Sequence, residues 1–232
     1  MENSQVIPIF IGYDERERAA TNVLIDSLYQ NSKAPISIIP LVTNQLRNEG
    51  IYFREKDPKQ STAFSFTRFL VPFLQNYNGW ALFCDSDFLW LEDVNELFSI
   101  ADNKYAIMCV HHDYKPKNTK KKLLSSQQIY PRKNWSSLVL WNCSHPSNKK
   151  VTPDLVNTET GKFMHRFGWL KDEEIGAISH EWNWLIGWYK EPEDGKPKAL
   201  HYTEGGPWLG SDFQKKEYAE EWNKYFRLSK KD

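Results

Sequence analysis

Apolar positions along this chain come in short runs, and each run stops at a turn residue. Val6-Ile-Pro-Ile-Phe-Ile11 is closed by Gly12, and the run from Ile36 to Val42 follows the break Asn31-Ser-Lys-Ala-Pro35, so both read as buried strands. Between them, Asp14 and Glu17 carry a capping-box signature. The pattern there predicts a helix to about Gln30, with Ala20, Val23, Leu24 and Leu28 on one face. Strand, helix and strand in this order predict a right-handed parallel crossover. The same reading places a helix over Ala63 to Asn76 that tolerates Pro72, a strand at Trp80 to Cys84, a helix around Asp93 to Ser99 and a strand from Tyr105 to Val110. It continues with a strand from Ser137 to Trp141, helices near Asp154 to Phe167 and Glu173 to Trp182, and a late strand from Lys198 to Tyr202. A C-terminal helix is expected at about 212–226, where Tyr218, Trp222, Tyr225 and Phe226 recur at helical spacing. Residues 111–134 differ: they are polar, hold Lys115, Lys117, Lys120, Lys121 and Lys122, and read as a long loop. The expected fold class is α/β, one domain over 1–232, with a mostly parallel central sheet flanked by helices.

Charge narrows the function classes. Thirty basic residues balance thirty acidic ones, so no global field draws in nucleic acid. No apolar run approaches the roughly 20 residues of a membrane span, and the N-terminus lacks the basic and apolar regions of a secretory signal. Cys84, Cys109 and Cys143 have neither a disulfide framework nor a zinc spacing. Together these predict a cytoplasmic protein with no integral membrane segment and no nucleic-acid partner. Ten tryptophans stand out, and they serve either as packing or as flat platforms for sugar rings.

Candidate chemistry gathers at expected strand ends, where open α/β sheets bind ligands. Tyr13-Asp14 follows the first strand, Asp85-Ser86-Asp87 follows the third, and His201 lies in the late one. Asp-x-Asp directly after an apolar run lets two carboxylates converge on one hard divalent cation. An added imidazole tilts the choice toward Mn²⁺, with Mg²⁺ as the other option. Each group also has a plainer reading: Asp14 as a helix cap, Arg68 as a partner of a nearby carboxylate, His201 as a structural histidine.

The segment Phe83-Cys-Asp-Ser-Asp-Phe-Leu-Trp-Leu-Glu-Asp-Val-Asn-Glu-Leu-Phe98 resembles the Asp-x-Asp region of GT-A nucleotide-sugar glycosyltransferases. It is most similar to the retaining glycosyltransferase family 8, the glycogenin and lipopolysaccharide galactosyltransferase group. Thr67-Arg68-Phe69-Leu70-Val71-Pro72, Ser136-Ser-Leu-Val-Leu-Trp-Asn142 and His201-Tyr-Thr-Glu-Gly-Gly-Pro-Trp208 resemble three further blocks of that family, in order, over about residues 6–210. The resemblance implies a transferase that moves a hexose from a nucleotide diphosphate sugar, UDP-linked, to a glycan or glycoconjugate acceptor with retention. It implies that Asp85, Asp87 and His201 hold Mn²⁺ on the donor diphosphate, where a cation offsets the charge that develops on the leaving group. Gly12, Tyr13 and Asp14 would contact the nucleotide, Ser86 the ribose, and Arg68 the donor sugar or its phosphates. Trp208 belongs to the closing motif. Asp172-Glu173-Glu174 falls where the family has Asp-Gln-Asp beside the reacting centre, so Asp172 and then Glu173 are the expected catalytic residues.

Two departures follow. The closing motif is one residue shorter here and lacks the family's phosphate-binding lysine. Backbone amides of Gly205 and Gly206, or a lid carrying Lys120 to Lys122, are the expected substitutes. Two other classes compete with this reading. One is a catalytically silent sugar-binding module on the same fold. The other is a haloacid-dehalogenase-type phosphohydrolase with Asp85 as nucleophile, which would need its Asp-x-Asp on the opening strand.

Overall fold

The computed structural model describes residues 6–55, 60–112, 135–191 and 193–228. Its centre is a six-stranded sheet of order β2-β1-β3-β6-β5-β7, made of β1 (Ile7–Gly12), β2 (Ile36–Leu41), β3 (Trp80–Cys84), β5 (Ile107–Val110), β6 (Leu138–Asn142) and β7 (Ile175–Ile178). β1 pairs in parallel with β2 (Ile9 opposite Ile38) and with β3 (Phe10 opposite Phe83), and β5 pairs in parallel with β7. Only β6 runs the other way, antiparallel to both β3 and β5. The C-terminal ends of β1, β3, β5 and β7 and the N-terminal end of β6 therefore share one edge. A second sheet of order β4-β9-β8 joins β4 (Phe88–Trp90), β8 (Trp184–Leu185) and β9 (Ala199–His201).

Alternation along the strands divides the core in two. Phe10, Phe83, Cys109, Val139 and Trp141 face one layer, with Phe69, Val71, Val156 and Met164 packed on them. Ile9, Ile11, Leu82, Leu138 and Leu140 face the other, against Leu24, Leu28, Trp90 and Trp182. A third cluster under the small sheet holds Val23, Leu89, Trp184, Leu200, Trp222 and Tyr225. Five tryptophans (Trp90, Trp141, Trp182, Trp184, Trp222) are buried and the other five are half-buried, so packing accounts for most of them.

The helices are shorter than the periodicity predicts. α1 (Arg18–Asn31) follows a 3-10 turn at 15–17 and buries Ala20, Val23, Leu24 and Leu28 as expected. α2 (Thr43–Asn48) lies in a stretch that reads only as polar. The helix expected over 63–76 is a 3-10 turn at 67–70 followed by α3 (Val71–Leu74); Asn76 and Tyr77, both at φ 52, end it in the left-handed region. α4 (Val94–Ser99) is capped by Asp93. The single helix expected near 154–167 is two, α5 (Pro153–Thr158) and α6 (Gly161–His165), because Thr152 and Thr160 each cap a new start.

The helix expected at 173–182 is not one. A 3-10 turn at 172–174 leads into β7, and a second turn at 180–183 leads into β8. Gly176 permits this edge pairing, since a Cβ there would sit 2.6 Å from the Tyr105 ring and 2.8 Å from Met108. The closing helix α7 spans Ala219–Leu228 instead of 212–226; a 3-10 turn at 211–213 and Tyr218 at φ 58 precede it. Most of the lysine-rich stretch, including Lys120, Lys121 and Lys122, lies outside the described residues.

Candidate functional site

The shared strand edge collects the polar residues. Asp85-Ser86-Asp87 forms the turn between β3 and β4, and β4 pairs antiparallel with β9, which sets Phe88 directly opposite His201. Neighbours across an antiparallel pair share a face. The Phe88 ring accordingly stacks on the His201 imidazole, with centroids 4.4 Å apart and planes 18° apart. This pairing carries a residue 114 positions downstream onto Asp87, and the Tyr202 amide donates to the Asp87 carbonyl at 3.0 Å. One ligand atom from each of Asp85, Asp87 and His201 lies within 4.8 Å of the other two.

Each member is held from outside the cluster. Arg68 is buried, flanked by the Phe64 and Phe83 rings at 5.3 and 5.2 Å. Its Nη1 donates to the Ser136 carbonyl at 2.8 Å and pairs with Asp85 Oδ1 at 2.7 Å. The Asp85 amide donates to the Ser137 carbonyl at 2.9 Å. His201 places Nε2 3.3 Å from Asp87 Oδ1 and Nδ1 2.8 Å from Asn183 Oδ1. The Ser86 hydroxyl is fully buried and donates to Glu17 Oε2 at 2.8 Å.

Two carboxylates and one imidazole suit a hard or borderline divalent ion. The geometry fits as well. Nδ1 is bonded to Asn183, so Nε2 meets Asp87 Oδ1 as one electron-rich atom facing another unless a proton or a metal ion lies between them. Asp85 Oδ1, which pairs with Arg68, and Asp87 Oδ1 are both shielded from solvent. These three residues form a possible metal-binding group.

Beside them, between the ends of β1 and β2, opens a cavity of about 610 Å³ lined by Tyr13, Arg16, Thr43, Arg47, Tyr52 and Thr62 among others. Asp14 borders it and also caps the turn before α1: its carboxylate accepts from the amides of Arg16 and Ala63 at 3.0 Å and pairs with the Arg16 guanidinium at 2.6 Å. Burial pushes the Asp14 carboxyl up, but the Arg16 and Ala63 hydrogen bonds outweigh it and hold the group below its ordinary value. Gly12 is required by packing, since a Cβ there would lie 2.4 Å from the Phe64 ring.

The remaining expected residues are spread wider. Gly205, at φ +93, donates its amide to the Tyr202 carbonyl at 2.7 Å, and a Cβ on Gly206 would strike the Trp208 ring at 2.1 Å. Trp208 packs against Tyr202 and Trp222. Asp172 and Glu173 need a correction of place. They precede β7, which is parallel to β5, and the adjoining Glu174 carbonyl accepts from Ala106 at the start of β5. That is the opposite edge of the sheet, roughly 13 Å of strand away from the carboxylate turn. Asp172 and Glu173 therefore stand apart from Asp85, Asp87 and His201.

Asn183, unassigned from sequence, and His112 and His165, expected there as structural or surface histidines, also reach this edge. Asn183 follows β7 and is fully buried. Only its position between two buried tryptophans signalled it, since a buried polar side chain needs partners. His112 follows β5, with Nδ1 2.7 Å from the Tyr189 hydroxyl; burial, then the nearby His201 and His180, push it down to about 3. His165 Nδ1 lies 2.8 Å from the Ser136 hydroxyl.

The fold is that of the GT-A glycosyltransferases. The chain superposes on the bifunctional glycosyltransferase WbbM in its apo form with a TM-score of 0.66 at 13% identity, covering 97% of this chain and 50% of that one. It superposes on the glycosyltransferase GlyE of Streptococcus pneumoniae TIGR4 with a TM-score of 0.62 at 15% identity, covering 98% and 61%. For the galactosyltransferase LgtC in complex with donor and acceptor sugar analogs the values are 0.59 and 10%, covering 97% of each chain. This chain thus spans about half the length of WbbM and about three fifths of GlyE. No family model matches. The chain belongs to the family of Protein CDI of Arabidopsis thaliana, to which it is 51% identical over 217 residues, 92% of this chain and 83% of that protein. Among the described residues, no helix is long and apolar enough to cross a membrane.

Proposed function

We propose that this chain is a metal-dependent glycosyltransferase that moves a hexose from a nucleotide diphosphate sugar, UDP-linked, to a glycan or glycoconjugate acceptor with retention. One observation carries the reading: the Asp85, Asp87 and His201 cluster stands at the ligand-binding edge of a GT-A sheet, beside a 610 Å³ cavity at the ends of β1 and β2. LgtC, which shares the fold, has been captured with donor and acceptor sugar analogs.

On this reading the cavity takes the nucleoside, with Tyr13 and the backbone around Gly12 against the base. Asp14 shapes the wall and holds Arg16. The ribose lies near Ser86, and the half-buried carboxylate of Glu17, which accepts from the Ser86 hydroxyl, is the acceptor there. Asp85, Asp87 and His201 would hold Mn²⁺ or Mg²⁺, which when bound offsets the charge on the departing diphosphate. Arg68 fixes Asp85 and presents cationic charge toward the donor sugar. The Gly206 amide binds phosphate in place of the missing lysine, Gly205 makes the turn that aims it, and Trp208 backs the loop. Asp172 and Glu173 fall outside this arrangement.

The test is incubation of the purified protein with Mn²⁺ and a panel of nucleotide sugars. The reading expects release of nucleoside diphosphate from one donor class, lost in Asp87→Asn. Silence across the panel with glycan binding intact favours the sugar-binding module. Phosphate release from phosphomonoesters without any sugar nucleotide favours the phosphohydrolase.

A further inference from the structure

Asn183 lies in the turn after β7 and leads directly into β8, whose Leu185 pairs with His201 of β9. That pairing brings the asparagine against the far side of the His201 ring. Asn183 Oδ1 is 2.8 Å from His201 Nδ1, and Asn183 Nδ2 donates to Ser137 Oγ at 2.9 Å; both contacts are buried. Ser137 has a second link to the cluster, since its carbonyl accepts the Asp85 amide at 2.9 Å. One residue, in the 3-10 turn immediately before β6, therefore ties both ends of the group together, Asp85 through its backbone and His201 through Asn183.

We propose that Asn183, anchored by Ser137, is the positioning residue that sets the tautomer of His201 and leaves Nε2 bare toward Asp87. The physical reason lies in the proton count. An amide that donates to Ser137 turns its oxygen to the imidazole, so Nδ1 carries the hydrogen. The distances agree. Nδ1 to Asn183 has the length of a full hydrogen bond, whereas the 3.3 Å from Nε2 to Asp87 exceeds the roughly 2.7–2.9 Å of a charge-assisted bond. Phe88, stacked on one ring face, limits rotation. A histidine whose other nitrogen is bonded in this way is preorganised as a metal ligand, and loss of such a partner weakens metal binding by about 10–100-fold. The proposal rests on the metal reading of the site.

The experiment has a metal-free arm and a Mn²⁺ arm, neither of which needs sugar transfer. In the first, ¹⁵N-histidine NMR of the metal-free protein at about pH 8, above the ordinary imidazole range, reads the His201 tautomer, assigned with His201→Gln. In the second, Mn²⁺ binding is followed by electron paramagnetic resonance in wild type, Asn183→Leu, Asn183→Asp and Ser137→Ala, with thermal melting to check each fold. The expected result is a protonated Nδ1 in wild type and a 10–100-fold weaker Mn²⁺ site in Asn183→Leu. Asn183→Asp, which keeps an oxygen facing Nδ1, holds wild-type affinity or tighter, and Ser137→Ala shows a smaller loss. If Asn183→Leu fails to fold, Ser137→Ala and Asn183→Asp decide the matter. A protonated Nε2 in wild type, or wild-type affinity in both Asn183→Leu and Ser137→Ala, overturns the role of Asn183 alone. Absence of Mn²⁺ binding in wild type with Nδ1 protonated overturns the metal reading, and this proposal falls with it.

Discussion

Replacing Arg68 by methionine removes one charge from the centre of the site while keeping most of the buried stem between the Phe64 and Phe83 rings. The variant loses the 2.7 Å pair with Asp85 and the 2.8 Å bond to the Ser136 carbonyl. Removing one partner of a buried ion pair costs about 3–5 kcal/mol, because the other charge stays behind uncompensated. The Asp85 side chain is 17% exposed, which favours the lower end of that range, about 3 kcal/mol. For a chain of this size the melting temperature should fall by about 6–12 °C in metal-free buffer. On the proposed metal reading, Arg68 and a divalent ion neutralise the same carboxylate, so saturating Mn²⁺ should return more stability to Arg68→Met than to wild type. Calorimetry with and without Mn²⁺ reads both effects. A fall of less than about 2 °C, or a larger gain from Mn²⁺ in wild type, would refute the assignment of Arg68 as the counter-charge of Asp85.

Gly12→Ala puts a methyl group 2.4 Å from the buried Phe64 ring and should cost about 1–3 kcal/mol in urea unfolding; an unshifted midpoint contradicts the packing account. His112 is held at about 3 by burial, with like charge from His201, His180 and His111 adding and Asn183 opposing, so the unfolded chain takes up a proton that the folded chain refuses. Stability from this group is complete above the ordinary imidazole pKa of about 6.5 and declines by up to about 1.4 kcal/mol per unit as pH falls toward 3. His112→Gln should flatten that part of a pH-dependent denaturation profile, and an unchanged slope counts against it. All three cysteines are buried, and burial pushes the Cys143 thiol up to about 12, so a thiol reagent should label none in the native protein and three after denaturation.

Strands were legible because burial writes itself into short apolar runs. Ile7–Gly12, Ile36–Leu41 and Trp80–Cys84 lie within a residue of where the pattern puts them. Helices were less so, since aromatic and β-branched residues such as Phe66, Thr67 and Phe69 mimic a helical stripe while they lie buried in and just before a 3-10 turn. β7 was missed because Ile175-Gly-Ala-Ile178 is too short for periodicity to choose between strand and helix, and the expectation for Asp172 and Glu173 rested on the resemblance alone. The carboxylate turn was readable from local spacing. The bond from His201 to Asn183 was not, because it depends on which strands of the small sheet lie side by side.

The central claim is that Asp85, Asp87 and His201 hold one divalent ion against a nucleoside diphosphate. Crystals grown with Mn²⁺ and UDP, read by anomalous scattering at the manganese edge, test it most directly. The account predicts one Mn²⁺ peak in contact with all three side chains, with the diphosphate bound to the same ion and the base in the cavity beside Tyr13. Manganese elsewhere, or UDP bound in that cavity with no ion at the three residues, contradicts it.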